Sequence, residues 1–187
     1  MKHIKKIIDD HIRMYGLKPE IPLKALKIQF NHNLHEECII GVLSHYNLSL
    51  KLRVVTKKLK DYNAAQIQLI SPMPKYGSIV FKNLRFRIEY DKSVAGLSVE
   101  RFLFAIAHEI GHILLLSKDS PHCESEVATD LIAMVMGFDS VYQKSKVVEV
   151  FNQSWPYNKI GDSIAGYLSK EEISFARQYI VERRKNI

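Results

Sequence analysis

The sequence predicts an α+β fold, with a small antiparallel or mixed sheet packed against one buried helix and several further helices. Two observations carry this. Residues 48–91 alternate apolar and polar positions with period two, whereas the stretches on either side place apolar residues at the 3.6-residue period of helices. Between them lies Phe102 to Leu116, an apolar run that contains His108, Glu109 and His112 and is too short and too charged to span a bilayer.

The chain has 187 residues, of which 47% are hydrophobic, enough for one core of ordinary size. A single domain, 1–187, is expected. Its parts are a helical N-terminal part (1–47), a sheet (48–91), a pair of metal-binding helices (98–137) and C-terminal helices (140–187).

Taken in order, Ile4, Ile7, Ile8, Ile12 and Met14 fall on one stripe of a helix over 3–15, and Gly16 supplies its stop. A connection from Leu17 to Pro22 leads to a second helix from about Leu34 to Tyr46. Strands are then expected around Leu50 to Val54, Ile67 to Leu69, Ile79 to Phe81 and Leu84 to Tyr90, with Ser71 to Gly77 as a turn-rich link and Phe81 to Leu84 as a tight reversal.

Ser98 is placed to cap a helix that runs to about Leu116, with Glu100 favourable for its dipole. After a loop, a helix from about Glu124 to Met136 ends near Gly137, and another runs from Ser140 to about Phe151. Ser169-Lys170-Glu171-Glu172 reads as a capping box before a last helix to about Arg184.

The net charge of +7 is N-terminal in origin. Residues 1–60 hold twelve Lys and Arg against five Asp and Glu, and the remainder balances at fifteen each. Without a clustered Arg run or interleaved aromatics, this is expected to be a solvated surface, and nucleic acid is not expected as a direct partner. Asp9, Asp10, His11 and Arg13 interrupt the apolar run that a signal peptide needs, and Cys38 and Cys123 form neither a disulfide framework nor a metal pair. A cytoplasmic chain with free thiols and no membrane span is expected.

His108-Glu109-Ile110-Gly111-His112 carries the chemistry. Histidines at i and i+4 of a helix share a face at a spacing that one Zn²⁺ bridges. Zinc brings the pKa of a bound water toward neutrality, and the carboxylate of Glu109 beside it takes the proton as general base. The competing reading is a pair of satisfied core histidines, but a helix apolar nearly all round leaves two imidazoles and a carboxylate uncompensated unless something binds them.

A hydrolytic zinc site needs a third protein ligand. The extension HExxHxxGxxH is absent, because Leu115 and Lys118 stand where its Gly and His belong. Of Asp119, His122, Glu124, Glu126 and Asp130, the best candidate is Glu126, with Asp130 one turn on to orient a ligand histidine through its second ring nitrogen. His122 and Glu124 are the alternatives as ligand, and a solvated surface charge is the alternative for Asp130. Tyr76, Tyr90, Tyr142 and Tyr157 are all candidates for stabilising an oxyanion.

HEIGH followed by ESEVATDLIA resembles the gluzincin pattern, over roughly residues 98–136. Within that group, Phe104-Ala105-Ile106-Ala107-His108-Glu109 preceded by Arg85 to Tyr90 is similar to the ImmA/IrrE-type metallopeptidases. The resemblance implies a zincin-like fold, Zn²⁺ held by His108, His112 and Glu126, Glu109 as catalytic base, and peptide-bond hydrolysis in a protein substrate, with DNA-binding helix-turn-helix repressors the substrates known for the family. The chain departs from it at Val127-Ala128-Thr129 and at Met136-Gly137, where a Met-Pro pair is usual. The ExxxD spacing is also similar to the HtpX type, whose transmembrane helices are missing here. Other functions open to the sequence are a catalytically silent metal-containing module that binds protein or nucleic acid, and a toxin-like effector peptidase.

Overall fold

The computed structural model describes residues 1–48, 51–57, 65–68, 72–91, 98–147 and 167–186. Three helices come first: α1 (Lys2–Tyr15), α2 (Leu23–Asn31) and α3 (His35–His45). Strands β1 (Lys51–Lys57) and β2 (Ala65–Ile67), the short helix α4 (Ile79–Asn83) and strand β3 (Arg85–Asp91) follow. Then come α5 (Val99–Ser117), α6 (Glu126–Ala133), a wide π-type turn (Met134–Phe138), α7 (Asp139–Val147) and α8 (Lys170–Arg184).

The protein is thus mostly helical, with one small mixed sheet in the order β1-β3-β2. The central strand β3 runs parallel to β1 and antiparallel to β2, with Val54 opposite Ile88 and Ala65 opposite Tyr90. Period two is visible in β3, where Phe86, Ile88 and Tyr90 are buried. Glu89 is also buried, and it is held by Gln66 Nε2 and Arg87 Nη2, both at 2.7 Å.

The sheet and the N-terminal helices surround α5, whose residues from Phe102 to Ala107 are all buried. Ser98 caps this helix as expected, accepting from the Arg101 amide. The first helix and its stop at Gly16 are also as expected, and so is the capping box of Ser169 and Glu172.

Three expectations are corrected. Ile79 to Phe81 is not a strand but the helical turn α4, started by the Ser78 hydroxyl accepting from the Phe81 amide. Its Ile79 and Val80 are 80% and 61% exposed, so their apolar character reflects no core strand. The Leu17 to Pro22 connection leads first to α2, a helix begun at Pro22 with no side-chain cap to announce it. Finally, α6 starts at Glu126 rather than Glu124, because the Ser125 hydroxyl accepts from the Ala128 amide. Leu50, Leu69 and residues 148–151 of the expected elements lie outside the described residues.

Gly137 ends the α6 region with φ +103°, and a Cβ there would run into the Pro19 carbonyl and His45 Nε2. The chain from Lys18 to Ile21 pairs with this turn through Lys18 N to Val135 O (3.1 Å) and Ile21 N to Gly137 O (3.0 Å). Beyond the turn Asp139, fully buried, meets Arg184 of α8 at 2.7 Å, which ties the last helix to the centre. Among the described residues no helix is long and apolar enough to cross a membrane, and both Cys38 and Cys123 are free thiols.

His11 joins α1 to α6. Its Nε2–H donates to the Ala128 carbonyl at 3.0 Å, and its Nδ1 is buried without a partner. Burial lowers this imidazole to about 4, the Ala128 hydrogen bond and Asp10 oppose that, and His122 adds to it. The unfolded chain therefore takes up a proton near the ordinary value of 6.5, while the folded chain does so only near 4. The stability from the neutral ring is complete above 6.5 and is lost as pH falls toward 4, by ~3 kcal/mol at most. Urea unfolding of the parent and of His11→Gln across this interval is expected to show a shallower pH dependence in the variant.

Candidate metal centre

Two facing stripes build the site. On α5, His108, Gly111 and His112 lie at i, i+3 and i+4, and on α6, Glu126, Thr129 and Asp130 repeat the same spacing. The helices meet at Gly111, where a Cβ would lie 3.0 Å from Thr129 Cγ2, 3.1 Å from Ile132 Cγ2 and 3.3 Å from the Thr129 carbonyl. Any side chain there makes the approach tighter than ordinary contact, so α6 or its side chains would have to give by a few tenths of an ångström.

The approach brings His108, His112 and Glu126 together, with one ligand atom of each within 4.8 Å of the others. Glu126 Oε2 lies 3.0 Å from His108 Nε2 and 3.5 Å from His112 Nε2. The two rings are nearly perpendicular, with centroids 4.9 Å apart.

The outer nitrogens are engaged elsewhere. His108 Nδ1 donates to Asp130 Oδ1 at 2.8 Å. Thr129 Oγ1 gives its proton to the Ser125 carbonyl at 3.1 Å and so accepts from His112 Nδ1 at 3.4 Å. Both rings thereby carry a proton on Nδ1, which leaves Nε2 as the ligand atom when an ion is held; without one, His108 Nε2–H donates to Glu126 Oε2. Two imidazole nitrogens and a carboxylate oxygen form a donor set suited to Zn²⁺, with outer partners that fix ring orientation. The residues present fit the ion.

Asp130 is the buried centre of this network. Besides His108, it accepts from the Tyr142 hydroxyl at 2.8 Å and from the Tyr167 amide at 2.6 Å, both on Oδ2. Tyr142 is held in turn by stacking on Phe104, with centroids 3.9 Å apart and planes 6° apart. Asp130 is therefore no solvated helix charge, and Tyr142 is committed to it.

Without a cation the groups compensate one another. Burial alone would lower His108, but the Asp130 and Glu126 carboxylates outweigh it and lift the ring to about 10. Burial lowers His112 and pushes the Glu109 carboxyl up to about 7. The hydrogen bond from His108 holds Glu126 below the usual carboxylate range. Glu109 points toward the sheet, and its Oε2 accepts the Ile67 amide of edge strand β2 at 3.0 Å.

The other candidates lie apart. His122 Nε2 pairs with Asp10 Oδ2 at 3.1 Å, while Glu124 and Asp119 are exposed and outside the cluster. Tyr90 bonds His35 Nδ1 at 2.9 Å, Tyr76 packs on Phe81 beneath Lys118, and Tyr157 lies outside the described residues. Sequence reasoning does not single out Tyr167, whose ring lies 6.0 Å from that of His108 with planes 25° apart. The one signal for it is its place two residues before the Ser169 cap, which fixes where the chain re-enters the fold.

Adding a methyl at Gly111 tests the helix approach. Gly111→Ala is expected to lower stability by about 1–3 kcal/mol, the usual cost of overpacking, and to weaken zinc binding as α6 moves away. Urea titration and a zinc-chelator competition read the two effects.

In comparisons with protein-family models, with curated proteins and with solved structures, the chain matches none of them.

Proposed function

We propose that the protein is a zinc metallopeptidase with a zincin-like arrangement, in which His108, His112 and Glu126 hold the ion and Glu109 is the general base. The observation that carries this is the convergence of two histidine Nε2 atoms and one carboxylate, with both outer ring nitrogens hydrogen-bonded and a second carboxylate, Glu109, next to His108 in the helix.

The ion, when bound, supplies Lewis-acid activation of a water and of the carbonyl to be cut. Asp130 keeps the His108 ring in the tautomer that presents Nε2, and Thr129 does the same for His112. Glu109 takes a proton from the attacking water at a carboxylate oxygen and returns it to the leaving amine, so its charge is restored in each turnover. The Ile67 amide holds one Glu109 oxygen and leaves the other for that exchange. The substrate class is a protein; a DNA-binding repressor is supported by the resemblance of HEIGH and ESEVATDLIA alone.

Metal analysis of the purified protein after zinc addition tests the ligands. About one zinc per chain is expected, lost in His112→Ala and Glu126→Ala with circular dichroism unchanged. A parent that takes up no zinc ends the reading. Asp130→Ala is expected to bind zinc roughly 10- to 100-fold more weakly.

Glu109→Gln is expected to keep the metal and to lose cleavage of a quenched-fluorescent peptide library by roughly 10²- to 10⁴-fold in kcat. Cleavage unchanged in that variant removes Glu109 from the chemistry. A zinc-loaded parent that cuts no peptide points to the silent binding module instead.

A further inference from the structure

We infer that Tyr167 is the catalytic residue that stabilises the oxyanion formed when the peptide carbonyl is attacked, an assignment that rests on the peptidase reading above. Four observations place it there. Its ring lies near that of His108 and roughly parallel to it, with centroids 6.0 Å apart and planes 25° apart. Its backbone amide is fixed to Asp130 Oδ2 at 2.6 Å, the carboxylate whose other oxygen orients His108. The next amide, of Leu168, donates to the Tyr142 hydroxyl at 3.4 Å, so two successive backbone groups hold this corner of the chain to the centre. The residue is 58% exposed, and its hydroxyl has no hydrogen-bond partner among the described residues.

This combination separates Tyr167 from the other described tyrosines near α5. Tyr142 is fully buried and gives its proton to Asp130, and the Tyr46 hydroxyl is buried on the Ala107 carbonyl. A residue anchored by its backbone to the core, largely exposed and with its ring roughly parallel to that of a ligand histidine has the properties of a preorganised donor. Ordering it costs little at the moment of reaction, because the Asp130 and Tyr142 contacts have already fixed its Cα.

The step balances without a proton leaving the phenol. As the oxygen of the attacking water bonds to the carbonyl carbon, the C=O electron pair moves to its oxygen, and Glu109 receives the water proton. The Tyr167 hydroxyl donates a hydrogen bond to the oxygen that gains the charge. When the C–N bond breaks, the carbonyl re-forms, Glu109 passes the proton to the amine, and the phenol is unchanged. A hydrogen bond of this kind is stronger to the charged oxygen than to the neutral carbonyl, so its loss falls on kcat more than on KM.

Tyr167→Phe isolates the hydroxyl, because the ring that lies near His108 and the amide that holds Asp130 both remain. The experiment measures zinc affinity by chelator competition, and kcat and KM on the best peptide from a quenched-fluorescent library. The expected result is zinc affinity within about twofold of the parent, KM little changed, and kcat lower by roughly 10²- to 10³-fold. A Tyr167→Ala variant, which also removes the ring, is expected to weaken zinc binding as well. If Tyr167→Phe loses zinc affinity as strongly as His112→Ala, the hydroxyl is structural and the assignment is overturned. If the parent cleaves and Tyr167→Phe has the same kcat, the assignment fails while the peptidase reading stands. If the zinc-loaded parent cleaves nothing in the library, the peptidase reading fails and takes this role with it.

Discussion

The site depends on how closely α5 and α6 approach, and the missing side chain at Gly111 sets that distance. A Cβ at Gly111 would lie 3.0 Å from Thr129 Cγ2, 3.1 Å from Ile132 Cγ2 and 3.3 Å from the Thr129 carbonyl, all tighter than ordinary contact. Once the helices meet this closely, helical geometry fixes the rest. Thr129 pins the rotation of α6, and Glu126 and Asp130, three residues before and one after, lie on the same face toward α5. The same contact sets Gly111 between the two histidines, so a wider crossing would separate Glu126 from both at once.

Asp130 shows how the fold and the site share one group. A carboxylate with no exposure is costly to bury unless every oxygen is satisfied. Here donors come from three elements: the His108 ring of α5, the Tyr142 hydroxyl of α7 and the Tyr167 amide that leads into α8. The C-terminal helix is thus tied to the histidine through one side chain, and it is tied a second time to Asp139 through Arg184. Truncating Asp130 would leave the Tyr142 hydroxyl and the Tyr167 amide without their acceptor, so any effect on the metal carries a cost in stability as well.

Much of this was legible in the sequence because it rests on local rules. The HEIGH spacing, the Ser98 cap, the Ser169 capping box and the i, i+4 relation of Glu126 and Asp130 all involve residues within one or two helical turns. What was not legible depends on tertiary context. Ile79, Val80 and Phe81 have strand-like composition, but only Phe81 finds a core, and the Ser78 hydroxyl turns the segment helical. Helix α2 starts at Leu23, after Pro22, with no side-chain cap. Tyr142 was one of four open candidates, and its bond to Asp130 and its stacking on Phe104 come from contacts between helices, which no periodicity announces. Tyr167 was missed for the same reason: its place beside His108 is set by an amide on a carboxylate 37 residues away.

The graded exposure of the cluster bears on the kind of metal centre proposed for it. The side chain of Asp130 is 0% exposed, His108 13%, His112 17% and Glu126 43%. A structural zinc site is closed by four protein ligands and gains nothing from an open side. Among the described residues this group has three, arranged from the core outward so that the side bounded by Glu126 faces solvent. The Tyr167 ring lies 6.0 Å from that of His108 in a residue that is 58% exposed, and the edge strand β2 reaches Glu109 through Ile67. The cluster thus encloses Asp130 and turns Glu126 toward solvent, an asymmetry that the proposed hydrolytic centre would require and a closed structural one would not.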